Sequence, residues 1–237
     1  RSAAWGEVAR RLAHEIKNPL TPIQLSAERL QLKLAGKLEN GDGEVLNRST
    51  QTIINQVQAM KRMVNEFSDY ARLPLPVLVE LNLNALIGEV LGLYETSQAR
   101  ISVELDPELP LILGDASQLR QIIHNLLRNA EDAQEGRDDP RIRLATRRAE
   151  DMAEFAVTDD GPGFPPEMMG RVFEPYVTTK VGGTGLGLAI VKKIVDEHHG
   201  QIYINNRPPS GAEVSILLPL APDPAIQANI AETSRES

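Results

Sequence analysis

The chain has 237 residues, 41% of them hydrophobic, 24% charged and only 4% aromatic, with no cysteine and a formal net charge of −8. That length holds one large domain or two small ones, and a core so poor in rings leans on Leu, Ile, Val and Ala, which favours helices and mixed α/β folds over a β-sandwich. The acidic balance argues against nucleic acid as the main partner, because phosphate backbones select basic surfaces, and the absence of Cys excludes a disulfide framework, thiolate catalysis and Cys-ligated zinc.

The opening residues RSAAWGEVARRLAHEI read as mid-helix, with no signal peptide. No apolar run approaches the ~18–20 residues that cross a bilayer. Trp5, Val8, Leu12, Ile16, Leu20, Ile23, Ala27, Leu30 and Leu34 recur at steps of three and four, one stripe of an amphipathic helix. The glycines of GKLENGDGE interrupt it, and a second stripe runs through Leu46, Thr50, Ile53, Val57, Met60, Val64, Phe67 and Ala71 at heptad spacing. Two helices of ~30 residues, each ~45 Å long, predict an antiparallel hairpin with little core of its own. Two hairpins pairing as a four-helix bundle, a homodimer with Val57 and Met60 in its seam, bury those stripes. A helical linker or an isolated coiled coil explains the stripes alone.

Pro74 and Pro76 end the hairpin. Beyond them, 83–96 reads as a helix, 100–105 as a strand and LRQIIHNLLRNAEDAQEG as a helix ending at Gly136. RIRLATRR and EFAVTDD read as strands, LGLAIVKKIVDEHHG as a helix closed by Gly200, and QIYIN and AEVSILLP as strands. Helices interleaved with mostly antiparallel strands, the helices on one face, imply an α/β two-layer sandwich. The expected division is a helical domain at 1–76, the sandwich at 77–220 and, at 221–237, a mobile tail with few large apolar residues.

Four motifs carry chemistry. In HEIKNPL, His14 lies about 200° around the helix from Leu12 and Ile16, so it projects into solvent, with Asn18 one turn on along the same side. Pro19 and Pro22 remove the amides that the carbonyls of Glu15 and Asn18 need. In NLLRNA, Asn125 and Asn129 share a helix face, and carboxamide oxygens suit Mg2+. In DDGPG, Asp159 at a strand end suits an adenine amino group, and Gly161 and Gly163 admit a flat base. In GGTGLGL, residues 182–188, a glycine-rich loop runs into a helix whose free amides suit phosphate. Taken singly, each has a plainer explanation: a surface His beside a kink, a capping Asn pair, a turn, a loop.

Together and in this order, over about 220 residues, the motifs resemble those of the two-component sensor histidine kinases. HEIKNPL resembles the phosphoacceptor box, NLLRNA the N box, DDGPG and GTGLGL the two glycine boxes, and FEPY at 173–176 the F box; the first helix is most similar to the NtrY-type nitrogen-regulation kinases. The resemblance implies a dimerisation and phosphotransfer hairpin joined to a Bergerat-type ATP-binding domain. It implies His14 as the phosphorylated residue, Glu15 as its acid–base partner and Asn18 as the orienter of water for dephosphorylating the regulator. Asn125 and Asn129 would hold Mg2+ and the phosphates, and Asp159, Gly161 and Gly163 the adenine. Gly183, Thr184, Gly185, Leu186 and Gly187 would border the phosphates beneath a short lid with Thr178, Thr179 and Lys180.

Two positions depart from the family pattern: Asp132 and Ala133 stand where many members carry Lys and Tyr, leaving Arg128 or Lys180 to contact phosphate. The implied cofactors are ATP and Mg2+, and the implied partner is a response-regulator receiver domain. The implied location is a cytoplasmic domain of an inner-membrane sensor, anchored through a region absent from this chain. Related ATPases carry a water-activating Glu at the position of Asn125, which disfavours direct hydrolysis. The alternatives are such an ATPase and a degenerate kinase kept as a scaffold.

Overall fold

The computed structural model describes residues 2–38, 41–178 and 183–222. The chain forms two compact units, Arg1–Pro74 together with Pro175–Leu186, and Leu75–Glu174 together with the chain from Gly187 on.

The first unit is a hairpin of α1 (Ser2–Leu34) and α2 (Asp42–Arg72). Helix α1 runs through Pro19 and Pro22 without interruption. Gly41, at φ 87°, turns the chain into α2, whose first turn carries Asp42 and Glu44 against the positive end of the helix dipole. Leu73 is extended ahead of Pro74 and ends the helix.

The hairpin interior is narrower than the sequence stripes predict. Ala9, Ala13, Leu20 and Ala27 of α1 are buried, and Thr50, Ile54, Val57 and Ser68 of α2. Leu12, Ile16, Ile23, Leu30, Ile53 and Met60 remain 42–46% exposed. The apolar pattern is therefore two adjacent faces rather than one. Alanines let the two helices approach closely, and the larger side chains form an outward strip beside that contact. Val57, expected in the seam between hairpins, belongs to the inner face at 4% exposure. Buried Thr50 returns its hydroxyl to the Leu46 carbonyl at 2.7 Å, so its burial carries no unpaired donor.

The second unit is a two-layer sandwich. Strands β2 (Arg100–Leu105), β4 (Arg141–Ala149), β5 (Met152–Asp159), β6 (Gln201–Asn206) and β7 (Ala212–Pro219) form one sheet in the order β2-β4-β5-β7-β6. Only β2 and β4 pair in parallel. Helices α3 (Leu83–Leu91), α4 (Ala116–Asp132) and α5 (Gly187–Glu197) accompany it. Alternation along the strands buries Ile142, Leu144, Phe155, Val157, Val214, Ile216 and Leu218 on one face. Leu119, Ile122, Ile123, Leu126 and Leu127 of α4 and Ile190, Val191, Ile194 and Val195 of α5 join that core.

Differences from the sequence reading have local causes. A small sheet of β1 (Val79–Leu81) and β3 (Ile112–Gly114) was not expected, since three-residue strands carry almost no periodic signal. Helix α4 stops at Asp132, short of Gly136, and the Gln134 amide takes over the Ala130 and Arg141 carbonyls at 3.1 and 2.9 Å. At the end of α5 the left-handed residue is His199 (φ 58°), not Gly200. Gly200 N–H reaches back to the Val195 carbonyl and His199 N–H to that of Asp196, a Schellman closure. Gly200 is needed for another reason: a Cβ there would lie 2.4 Å from the Leu217 carbonyl oxygen.

Candidate functional site

On α1, His14, Glu15 and Asn18 are all exposed. The Asn18 amide lies 3.4 Å from Nδ1 of His14, as the i,i+4 spacing requires. The Glu15 carboxylate accepts from Arg11 Nε at 3.1 Å, so in this conformation it faces back along the helix.

In the second unit α4 presents its carboxamides to the first turn of α5. Asn125 Nδ2 donates to the Gly187 carbonyl at 3.5 Å, and a Cβ added to Gly187 would lie 3.6 Å from Nδ2 of Asn129. The N box and the last glycine of the second glycine box are thereby side by side. Arg128 is exposed, and its charge bears on Tyr94; burial and Glu131 raise the pKa of that phenol, against the lowering effect of Arg128. Among the described residues no group of three or more His, Cys, Asp or Glu side chains is placed to hold a metal.

The first glycine box is packed around one carboxylate. Asp159 is 9% exposed at the end of β5, and its Oδ1 accepts from Gly161 N–H at 2.7 Å. A Cβ at Gly161 would meet that same oxygen at 2.6 Å and the Ala133 carbonyl oxygen at 3.0 Å. Gly163 is left-handed at φ 78°, and a Cβ there would lie 2.7 Å from Oδ1 of Asn206. Glycine is thus demanded at both positions, by close approach at the first and by conformation as well at the second.

The remaining glycine-loop residues lie with the hairpin unit. Thr184 donates its hydroxyl to Glu66 of α2 and accepts from Leu186 N–H at 3.3 Å. Gly185 (φ 66°) pairs its carbonyl with Tyr176 N–H at 3.0 Å, and Leu186 is fully buried. Gly183 is half-buried. Lys180 and Thr179 fall outside the described residues, as does the expected tail from 223 on.

Sequence reasoning passed over the residues that hold these parts in place. Asp115 caps α4 through Ser117 and Gln118 N–H at 2.9 and 3.2 Å and also accepts from Val77 N–H at 3.0 Å. Burial works to raise its pKa, but these backbone donors outweigh it and leave the carboxyl below its ordinary value. Buried His198 accepts from Asp115 N–H at Nε2 (3.0 Å) and lies 2.8 Å from the Ile194 carbonyl at Nδ1. That pair of partners fits a neutral ring protonated at Nδ1, and burial lowers its pKa. The Asp at the helix start was legible as a cap; the histidine's role required knowing which helix ends meet.

Two family models match the chain: "His Kinase A (phospho-acceptor) domain" over residues 4–75 and "Histidine kinase-, DNA gyrase B-, and HSP90-like ATPase" over 114–222. The chain is 43% identical over 215 residues to nitrogen regulation protein NtrY of Azorhizobium caulinodans, an alignment covering 88% of this chain and 28% of that protein. It is 33% identical to the catalytic domain of histidine kinase ThkA, with a TM-score of 0.55, covering 60% of this chain and 95% of that one. It also matches histidine kinase ThkA crystallised with response regulator protein TrrA, at 29% identity and a TM-score of 0.66, covering 91% of this chain and 62% of that one. Among the described residues no helix is long and apolar enough to cross a membrane.

Proposed function

The chain belongs to the sensor histidine kinases, and from that premise we propose that it transfers the γ-phosphoryl group of ATP to His14 and passes it to an aspartate of a response-regulator receiver domain. One observation carries the reading. The side chains that α4 turns toward Gly187, Asn125 and Asn129, are both carboxamides, which cannot deprotonate a water, whereas His14 offers an exposed imidazole as acceptor.

In the proposed reaction one ring nitrogen of His14 attacks the γ-phosphorus in line, the bond to the bridging oxygen of ADP breaks, and the other nitrogen sheds its proton to Glu15. Glu15 must first leave Arg11, which an exposed ion pair permits at little cost. Asn129 and Asn125 would hold Mg2+, whose charge offsets that of the transferring phosphoryl group. Asp159 accepts the adenine amino group, with Gly161 and Gly163 under the ring. Arg128, Lys180 and residues 183–187 are assigned to the phosphates. The outward apolar strip of the hairpin supports a homodimer. The likeness to nitrogen regulation protein NtrY supports a nitrogen-related signal.

The 3.4 Å approach of Asn18 to His14 favours a second activity, alignment of a water against the phosphorylated aspartate of the regulator. One experiment tests both. With γ-labelled ATP, wild type gains acid-labile label and His14→Gln gains none while keeping its nucleotide affinity; label on the variant refutes the acceptor. In a chase with labelled regulator, folded Asn18→Ala loses phosphate more slowly than wild type, and an equal rate removes Asn18 from that role.

A further inference from the structure

Asn206 closes β6 and sits across from the first glycine box, 42 residues away in sequence from Phe164. Its Oδ1 accepts from Phe164 N–H at 2.8 Å, and its Nδ2 donates to the Phe164 carbonyl at 2.7 Å. A single carboxamide thus occupies both hydrogen-bonding groups of one backbone residue, which ties the two peptide groups flanking Phe164 to one side chain. The neighbouring turn completes the support. Gly211 (φ 119°) presses so near the end of β5 that a Cβ there would lie 2.3 Å from the Asp159 carbonyl oxygen. Its own carbonyl accepts from Arg207 N–H at 2.9 Å and would meet a Cβ at Gly163 at 3.0 Å. The end of β6 and the β6–β7 turn are therefore a wall against which Asp159, Asp160 and Gly163 are seated.

We infer that Asn206 is a positioning residue for the base half of the nucleotide site: it holds the Gly161–Phe164 loop in the shape that accepts a purine, without touching the phosphates. This rests on the reading of Asp159, Gly161 and Gly163 as the adenine site. The physical ground is preorganisation. A loop tied at both groups of Phe164 loses little freedom when the base arrives, whereas a released loop is ordered by the ligand at the expense of affinity. Because the transferring group lies at the other end of the nucleotide, the loss falls on binding and leaves the chemical step alone.

The test compares wild type with Asn206→Ala, Asn206→Asp and Asp159→Ala as full chains. It measures autophosphorylation kinetics, together with competition by inorganic tripolyphosphate, which has phosphates and no base. Asn206→Ala should raise KM for ATP roughly tenfold at unchanged kcat, with unchanged inhibition by tripolyphosphate. Asn206→Asp, which keeps the acceptor for Phe164 N–H and loses the donor, should fall between Ala and wild type. Were Asn206→Ala to fail to fold, Asn206→Asp would carry the same test by its own KM increase. A parallel loss of tripolyphosphate affinity or of kcat would mean a general structural role and overturn the proposal. An unchanged KM for the Asn206 variants alongside a weakened Asp159→Ala would overturn it while leaving the adenine site standing. An unchanged Asp159→Ala would instead remove the adenine site on which it rests.

Discussion

His198 shows how one buried side chain ties function-bearing elements together. Its ring joins the end of α5 to the amide of the residue that caps α4, and α4 carries Asn125 and Asn129. Protonation at Nε2 would set a second N–H against that of Asp115, and burial lowers the ring's pKa below 6.5. The unfolded chain therefore binds a proton where the folded chain does not, so this contribution to stability is complete above 6.5 and declines as pH falls through 6.5 toward the lowered folded value. Asp115 acts lower: its folded pKa lies below 3.8, so its contribution is present above 3.8 and is lost beneath it. Thermal unfolding of wild type between about pH 5 and 7.5 should show a falling melting temperature on the acid side. His198→Gln should flatten that slope in part, because His124, lowered by burial and by Arg120, keeps the same sign. An identical slope in the variant would take His198 out of the account.

Among the elements, the hairpin separates two jobs that a helical wheel merges. Ile54 at 6% exposure belongs to the contact between α1 and α2, and Met60 at 46% to the outward strip. A lysine at Ile54 buries an unpaired charge inside the hairpin and should lower helicity itself. A lysine at Met60 should leave circular dichroism near wild type and shift sedimentation from dimer to monomer. Retained dimer in folded Met60→Lys would remove the strip from the interface. The sequence spacing located both helices, the turn between them and the exposure of His14 and Asn18. It did not separate the faces, because the stripe passes over Ala9 and Ala13 and merges buried Leu20 and Ala27 with exposed Leu12, Ile16 and Ile23. In the sheet unit, strands of six or more residues were legible from alternation, whereas β1 and β3 were too short. Asp159 and the glycines were legible as motifs; Asn206 was not, since its partner Phe164 is distant in sequence and a lone Asn at a strand end reads as a turn residue.

At the scale of the whole molecule, the register of the hairpin has a kinetic consequence. Lys61 Nζ donates to Gln24 Oε1 at 2.9 Å, and ten residues back along α1 and ten forward along α2 from that rung lie His14 and Ala71. The chain thus leaves α2, at Arg72, level with the imidazole. The four residues Leu73 to Pro76 that follow hold two prolines, a stiff spacer of about 12 Å at ~3.1 Å per residue. On the proposed reading, in which the second unit binds ATP and His14 accepts its phosphoryl group, so short a tether keeps the two reactants within one dimer. Encounter is then set by the leash rather than by how crowded the solution is. Label incorporated per molecule per second should stay constant on serial dilution for as long as the dimer persists, and a rate that fell in proportion to protein concentration would show that the tether confers no such advantage.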